Sequence, residues 1–191
     1  MRSGWWFAAG TLCGAAVIGT PKVAAHLHAA MHGVRGADSS GEEARMHTEE
    51  KFSFTANGTM SEVAPLFGAE KERVWAPGWN PQFVHPLPVT DEQGMVFTVK
   101  HEHLRASWVN TVFDTQNGRF QYVYMIPEAL VTVISIQLTP QENRTQVDVT
   151  YERTALSVEA DAHVRHMAEG DRRAGPEWEQ QINGYLAKVK R

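Results

Sequence analysis

Alternating apolar and polar residues predict a series of β-strands from residue 51 onward. In the segment KFSFTA at 51–56, Phe52 and Phe54 fall on one face, which is the two-residue period of a strand. Similar alternation recurs in five later segments, at 95–103, 106–115, 119–126, 130–139 and 145–154. Because compact turns such as Asn117-Gly118 separate neighbouring segments, the pattern predicts an antiparallel sheet.

The last strand segment shows how its two faces differ. Val147, Val149 and Tyr151 occupy one side, and the positions on the other side are polar: Gln146, Asp148, Thr150 and Glu152. One apolar and one polar face is typical of an antiparallel sheet that is covered on a single side.

Helical patterns lie at both ends of this strand series. Thr59 and Glu62 form a capping-box signature, and Gly68 ends that short helix. The segment EKERVW at 70–75 predicts another helical turn. The C-terminal segment 160–190 predicts a long helix, interrupted where Pro176 can open a second one. We expect it to cover the sheet with an apolar stripe of Trp178, Ile182, Tyr185, Leu186 and Val189.

Residues 74–86, VWAPGWNPQFVHP, fit neither pattern. Trp75, Trp79 and Phe83 recur every four residues, but the prolines and Gly78 argue against a helix or a strand. We interpret the segment as the rim of a cavity, where large rings fill space without a regular backbone. Packing of the two tryptophans in the core is the alternative, and the sequence favours neither.

Composition sets the class of protein. Of the 191 residues, 42% are apolar and 21% are charged, and the formal net charge is −4, as in ordinary soluble globular proteins. A nucleic-acid-binding domain usually carries a basic face, so we predict no nucleic-acid partner. The single cysteine, Cys13, lies near the N-terminus. Beyond that segment there is therefore no disulfide, thiolate nucleophile or cysteine metal ligand, and we predict no cofactor and no metal.

The N-terminus resembles an export signal. Arg2 precedes an uncharged stretch at 3–21, and the small residues at 23–25 allow cleavage after Ala25. An uncleaved membrane anchor is the main alternative. Residues 1–25 are thus predicted to be a signal peptide or an anchor, which places the domain outside the cytoplasm. Residues 26–50 are predicted to form a flexible linker, and residues 51–191 to form the folded domain.

The order of elements resembles a known superfamily. The segments FSFTANGTMSEVAPLFGAEKERVWAPGW at 52–79, GMVFTV at 94–99 and WEQQINGYL at 178–186 resemble the SRPBCC (START/Bet v 1-like) superfamily, in its polyketide-cyclase/lipid-transport-like branch. The resemblance covers about residues 51–190. It implies an α+β helix-grip fold: a curved antiparallel sheet of about six to seven strands wraps a long C-terminal helix, with two short helices after the first strand. It also implies a cavity for apolar ligands.

Inward-facing positions of such a fold predict the cavity lining. We expect it to comprise Trp75, Trp79, Phe83, Phe97, His101, His103, Trp108, Tyr122, Tyr124, Val149, Tyr151, Met167, Trp178 and Ile182. His101 and His103 share a strand face, so zinc ligation, acid/base chemistry and a structural role all remain open for them.

Three functional hypotheses follow. The first is a carrier or sensor of a small apolar molecule. The second is an enzyme of the cyclase, aromatase or dehydratase type, which needs only a shaped pocket and one or two acid/base groups. No GxSxG nucleophile elbow is present, and we assign no catalytic residue. The third is a protein-interaction module of the co-chaperone type that uses the outer face of the sheet. The sequence leaves the oligomeric state open.

Overall fold

The computed structural model describes residues 44–101 and 104–190. Seven strands occur in this part of the chain: β1 His47–Ala56, β2 Gln82–His85, β3 Val96–His101, β4 Leu104–Asp114, β5 Arg119–Ile126, β6 Leu130–Gln141 and β7 Arg144–Ala155. Three α-helices accompany them: α1 Met60–Val63, α2 Val158–Asp171 and α3 Gly175–Val189. Two 3-10 turns, Ala64–Phe67 and Lys71–Val74, follow α1.

The strands form one antiparallel sheet in the order β1-β7-β6-β5-β4-β3-β2. Consecutive strands from β2 to β7 are neighbours, while β1 pairs with β7 at the far edge. The sheet, the short helical elements after β1 and the helical C-terminal segment confirm the predicted α+β helix-grip architecture.

One face of the sheet is buried and the other faces solvent. In β7, the side chains of Val147, Val149 and Tyr151 are buried, whereas Asp148 is exposed. The predicted facing of this strand is therefore confirmed. The same alternation buries every second residue of β5 and β6, so three central strands present a continuous inner face.

The C-terminal helices cover one side of that inner face. Helix α2 packs on β1 and β7, and α3 packs on β1. The ring centroids of Phe52 and Trp178 lie 5.4 Å apart. At the end of β1, Asn183 of α3 accepts the backbone N–H of Asn57 at 2.7 Å and donates to the carbonyl of Thr55 at 3.0 Å. The helix is thus joined to the sheet edge by both packing and hydrogen bonds.

The segment after α1 covers the rest of the inner face. The Glu62 carboxylate accepts the N–H of Thr59 at 2.7 Å, as the capping-box signature predicts. Farther on, the Asp91 carboxylate accepts the backbone N–H groups of Glu70 and Lys71. A Cβ at Gly68 would lie 2.2 Å from an Asp91 oxygen, so only glycine fits beside this carboxylate.

Three sequence-based expectations need correction. Strand β1 begins at His47, four residues before the predicted domain boundary, because the alternation continues into polar residues. Strand β2 lies inside the proline-rich segment that was predicted to exclude strands. It occupies the sheet edge with prolines outside its four residues, where they remove no ladder hydrogen bond. Val189 at the end of α3 is 65% exposed, so the apolar stripe ends before it.

Several predictions fall outside the described residues. They concern the signal peptide or anchor at 1–25, the linker up to residue 43, His103, and the side chain of His101.

Candidate functional site

A buried ion pair lies on the inner face of the sheet. Arg153 follows Val149 and Tyr151 on the inward side of β7, and its side chain is fully buried, as is Asp171 at the end of α2. The Arg153 Nε and Nη2 atoms donate to the two Asp171 carboxylate oxygens at 2.6 and 2.8 Å. This bidentate arrangement joins the sheet to α2 across the core.

Further groups surround the Arg153 guanidinium. Its Nη1 atom lies 2.5 Å from the hydroxyl of Tyr124 and 2.9 Å from that of Thr132. The guanidinium carbon lies 4.7 Å from the centroid of the Tyr151 ring, within the range of a cation–π contact. These partners sit on β5, β6 and β7, so one cation is held by three adjacent strands and a helix.

Burial and pairing act in opposite directions on this ion pair. Burial disfavours the charged guanidinium of Arg153, but Tyr124 and Asp171 outweigh burial and raise its pKa above the usual value. Burial raises the pKa of the Asp171 carboxyl, while the hydrogen bonds and charge of Arg153 oppose that rise. At this depth, each charge is stable only while the other is present, because an unpaired buried charge is strongly unfavourable.

Other buried polar atoms beside this network have no partner. Among the described residues, neither the Tyr151 hydroxyl nor the Trp108 indole N–H has a hydrogen-bond partner. The Asn110 side-chain oxygen likewise lacks one within the same part of the chain. By contrast, the Tyr122 hydroxyl donates to the carbonyl of Phe67. Buried polar atoms in native proteins are normally paired, so each of these three is a position where the described residues leave a hydrogen bond unmade.

A further buried carboxyl group, that of Glu72, lies in the 3-10 turn Lys71–Val74. Glu72 is only 2% exposed. Burial raises its pKa well above the usual range, and the charge of Asp91 adds to the rise. Glu72 in turn contributes to the raised pKa values of the Tyr122 and Tyr151 phenols, for which burial is the main cause. The carboxyl therefore lies within electrostatic reach of both tyrosines.

Aromatic rings enclose these polar groups. The rings of Trp108 and Tyr124 stack with centroids 4.2 Å apart, and Trp79 meets Trp108 edge-on at 5.5 Å. On the helix side, Trp178 lies 5.7 Å from Trp75 and 6.5 Å from Phe67. Offset and edge-to-face pairs of this kind are favourable, and they make the surroundings of the polar atoms largely apolar.

Most of the predicted lining residues are buried together, and one of them is only partly buried. Eleven are buried in a single core cluster: Trp75, Trp79, Phe97, Trp108, Tyr122, Tyr124, Val149, Tyr151, Met167, Trp178 and Ile182. Phe83 packs against that cluster while partly exposed. The indole N–H groups of Trp75 and Trp79 donate to the carbonyls of Leu66 and Ala69, both at 2.7 Å. Backbone carbonyls of the preceding turn thus satisfy these two side chains, and their contact with a ligand stays a prediction.

Sequence analysis missed the charged members of the site. The alternation of β7 continues inward to Arg153, so the position of this arginine was available from the pattern. Asp171 and Glu72 gave no comparable signal, because each lies in a polar helical segment whose buried side depends on packing.

A groove at the protein surface lies beside the site. Its volume is about 730 Å³, and its lining includes Trp75, Tyr185 and three cationic side chains, Arg73, Arg173 and Lys188. Arg73 has a structural role there, since it donates to Glu70 at 2.7 Å and to the carbonyl of Pro81 at 2.7 Å. Those bonds hold the tryptophan-containing segment in place.

Neither a metal-binding cluster nor a membrane-spanning helix occurs in the described residues. Within residues 44–101 and 104–190, no set of three or more His, Cys, Asp or Glu side chains is arranged to hold a metal ion. In the same ranges, no helix has the length and apolar character needed to span a membrane.

Comparisons with known proteins place the fold. No protein-family model matches the chain, and no curated protein is similar to it. Among solved structures, a norcoclaurine synthase from Thalictrum flavum is 10% identical with a TM-score of 0.57, over 78% of this chain and 100% of that one. XoxI from Bacillus cereus is 18% identical with a TM-score of 0.55, over 74% and 98%. Ara h 8.0201 is 12% identical with a TM-score of 0.53, over 74% and 99%.

At these identities the likeness concerns the fold and not the chemistry. The matched structures are covered almost completely, so the shared part is the whole domain and not a fragment of it. The chain therefore has the Bet v 1-like helix-grip fold, the fold of the SRPBCC superfamily that its sequence resembles.

Proposed function

We propose that this protein binds a small, largely apolar molecule that carries at least one polar group, between the inner face of the sheet and the segment 64–79. The observation that carries the proposal is the pair of buried donors without partners, Tyr151 and Trp108, in an aromatic interior. Leaving a buried donor unsatisfied costs about 1–3 kcal/mol. A ligand that accepts hydrogen bonds from these groups recovers that energy.

The surroundings fit such a ligand. Small-molecule sites are mostly lined by apolar and aromatic side chains, with a few polar groups that fix orientation. Tyr151 and Trp108 supply the polar groups here: Trp108 stacks between the rings of Phe97 and Tyr124, and Tyr151 stacks on Phe52. Arg153 keeps its position through Asp171, so it organises the site without needing an anionic ligand.

We extend the proposal to location. The uncharged stretch at 3–21 supports binding of this molecule outside the cytoplasm, either free or attached to a membrane. Fractionation of cells that carry the full chain tests this part separately. Recovery of the protein only with soluble cytoplasmic markers would contradict it.

The binding proposal is tested by capture of the molecule. We expect native mass spectrometry of the full chain, purified from its natural host, to show a bound species that solvent extraction removes. Tyr151→Phe deletes only the unpartnered hydroxyl, so it should lower the retained fraction without lowering the melting temperature of the protein after solvent extraction.

Tyr122→Phe is the matched control for that variant. The Tyr122 hydroxyl already donates to the Phe67 carbonyl, so its loss should lower stability and leave retention unchanged. A native protein with no bound species, or equal loss of retention in both variants, contradicts the proposal.

A further inference from the structure

We infer that the surface groove between α3 and the segment 73–77 is a second binding site, and that its ligand is a small organic anion with an apolar body. Of the described residues that line the groove, only Trp75 belongs to the predicted cavity lining. The groove is therefore a different site from the interior, and the inference does not rest on the proposed function.

The groove runs along one face of α3. Its lining includes Glu177, Gln181, Gly184 and Lys188, and spacings of three and four residues place these positions on one side of a helix. At about 1.5 Å per residue, this row is about 16 Å long. The segment 73–77 supplies the second wall, and the volume of about 730 Å³ lies within the range of small-molecule sites.

Gly184 keeps the middle of this row open. A Cβ built on Gly184 would have no atom within 4 Å, so the packing of the fold does not require glycine there. Glycine also destabilises the interior of a helix. A side chain at this position would extend from the groove wall into open space, so the glycine leaves room for a ligand against the helix.

The charge of the groove favours an anion. Three cationic side chains line it, Arg73, Arg173 and Lys188, beside a single carboxylate from the described residues, that of Glu177. The Glu177 carboxylate accepts a hydrogen bond from the Gln181 side chain at 2.9 Å. Arg73 is held by its bonds within the wall, so Arg173 and Lys188 are the cations that a ligand can use.

These two cations differ from the basic residues beside them. Arg172 and Lys190 each form an ion pair with a glutamate, at 2.6 and 3.2 Å respectively. The Arg173 Nε atom instead donates to a backbone carbonyl at 3.0 Å. Within residues 44–101 and 104–190, neither Arg173 nor the exposed Lys188 forms an ion pair with an acid. Their positive charge is therefore available to a carboxylate, sulfate or phosphate group.

The apolar part of the groove is rigid. Trp75 is fixed in the wall, because its indole N–H donates to the Leu66 carbonyl at 2.7 Å and its ring lies 5.7 Å from that of Trp178. Tyr185 and three further apolar residues complete this part of the lining: Val74, Pro77 and Pro176. Aromatic and proline surfaces beside free cations suit a molecule with an apolar body and an anionic group.

The test compares two fluorescent probes that differ in the anionic group. Anilinonaphthalene sulfonate and phenylnaphthylamine share the same rings, and only the first carries a sulfonate. Their dissociation constants for the full chain are measured by fluorescence and by calorimetry. The ratio of the two constants is followed across variants, since binding that depends on the rings alone changes both constants together.

The double variant Arg173→Gln with Lys188→Gln should weaken binding of the sulfonate probe by about tenfold, the effect of losing a charge-assisted hydrogen bond. It should leave binding of the neutral probe unchanged. Arg172→Gln with Lys190→Gln is the matched control, because it removes the same two charges from neighbouring positions outside the groove. Equal weakening in both double variants would assign the effect to overall charge and overturn the site.

Gly184→Leu tests the groove by filling it. The new side chain meets no atom at its Cβ, and leucine is a better helix former than glycine. We therefore expect binding of the sulfonate probe to weaken while the melting temperature does not fall. Unchanged affinity for this probe in the folded variant overturns the groove as the site.

Vesicles of phosphatidylglycerol present anionic and apolar groups in a membrane and separate the two sources of such a ligand. If these vesicles sediment the native chain but not the Arg173→Gln, Lys188→Gln variant, and the free sulfonate probe does not bind, the small-molecule site is overturned in favour of a membrane surface. Failure of the native chain to bind the probe at all also overturns it. The interior site is judged separately, by native mass spectrometry and Tyr151→Phe.

Discussion

Two carboxyl groups of similar burial are treated in opposite ways by this fold. Asp171 is fully buried and Glu72 is 2% exposed, so both have left bulk water. Asp171 receives two hydrogen bonds from Arg153. The charge that acts on Glu72 is instead another carboxylate, that of Asp91, which raises the Glu72 pKa further. Burial alone therefore does not decide whether a carboxyl group is ionised or neutral. An opposite charge keeps Asp171 ionised, and the lack of one favours the neutral form of Glu72.

The location of Asp171 makes its pairing more demanding. It is the last residue of α2, where the helix dipole disfavours negative charge. Arg153 must offset both this effect and the loss of hydration. Glu72 has no such compensation, so burial raises its pKa and favours the neutral carboxylic acid.

The largest effect is expected from breaking the ion pair. Asp171→Ala leaves the Arg153 guanidinium buried without its main partner, and we expect a loss of about 3–5 kcal/mol in the free energy of unfolding. Urea denaturation followed by circular dichroism measures it.

The double variant Arg153→Met with Asp171→Leu is the control for that experiment. Replacing both charges by apolar groups of similar volume should restore most of the stability. If Asp171→Ala alone costs less than about 1 kcal/mol, the pair behaves like an exposed one, and the contrast with Glu72 disappears.

Glu72→Gln should raise the free energy of unfolding, by less than Asp171→Ala lowers it. The size of this gain should depend on pH. The folded pKa of Glu72 lies above its unfolded value, so its contribution to stability is complete below the unfolded pKa and is lost as pH rises through the folded pKa. The glutamine variant does not undergo this loss. We expect it to match the native chain at pH values below the unfolded pKa and to exceed it by about 1–3 kcal/mol at the alkaline end.

Thermal denaturation across that pH range measures the difference between the two proteins. Glu92→Gln is the matched control, because it removes a carboxyl group from the exposed surface instead of the interior. A constant difference for Glu72→Gln would show that Glu72 is not the group that titrates with folding.

A third prediction compares the two buried phenols. Tyr122→Phe deletes a hydroxyl that is bonded to the Phe67 carbonyl and should cost about 1 kcal/mol. Tyr151→Phe deletes one without a partner among the described residues and should cost nothing in the ligand-free protein. Chemical denaturation of extracted protein resolves this difference. Equal losses would mean that Tyr151 is satisfied in solution.

The smallest effect is expected from the ion pair of the adjacent arginine, which is open to solvent on the arginine side. Arg172 donates to both oxygens of Glu50 at 2.6 Å, the same bidentate geometry as Arg153, but its side chain is 60% exposed, while that of Glu50 is 13% exposed. Solvent and salt screen such a pair. We therefore expect Arg172→Ala to leave the melting temperature almost unchanged, with any difference vanishing in high salt. A loss as large as that of Asp171→Ala would show that pairing geometry, and not burial, dominates.

Much of the fold was predictable because its signals are local. Alternation located five of the six strands of the β-meander, β3 to β7, and assigned the inner face of β7. The capping box located α1, and Pro176 located the break between α2 and α3. Strand β2 was missed because the ladder of an edge strand tolerates flanking prolines, and only its pairing with β3 reveals it.

The sequence by itself determined the strands β3 to β7, the helices and the aromatic character of the interior, because each depends on the spacing of residues along one element. The same spacing places Arg153 on the inward side of β7, although its charge was not singled out beforehand. Tertiary structure alone decided which acids meet which partners. Asp171 lies 18 residues from Arg153 along the chain, and the charge of Glu72, on a separate turn, adds to the raised pKa values of Tyr122 and Tyr151. The energy of a buried charge depends on what surrounds it in space, and local periodicity carries no information about that.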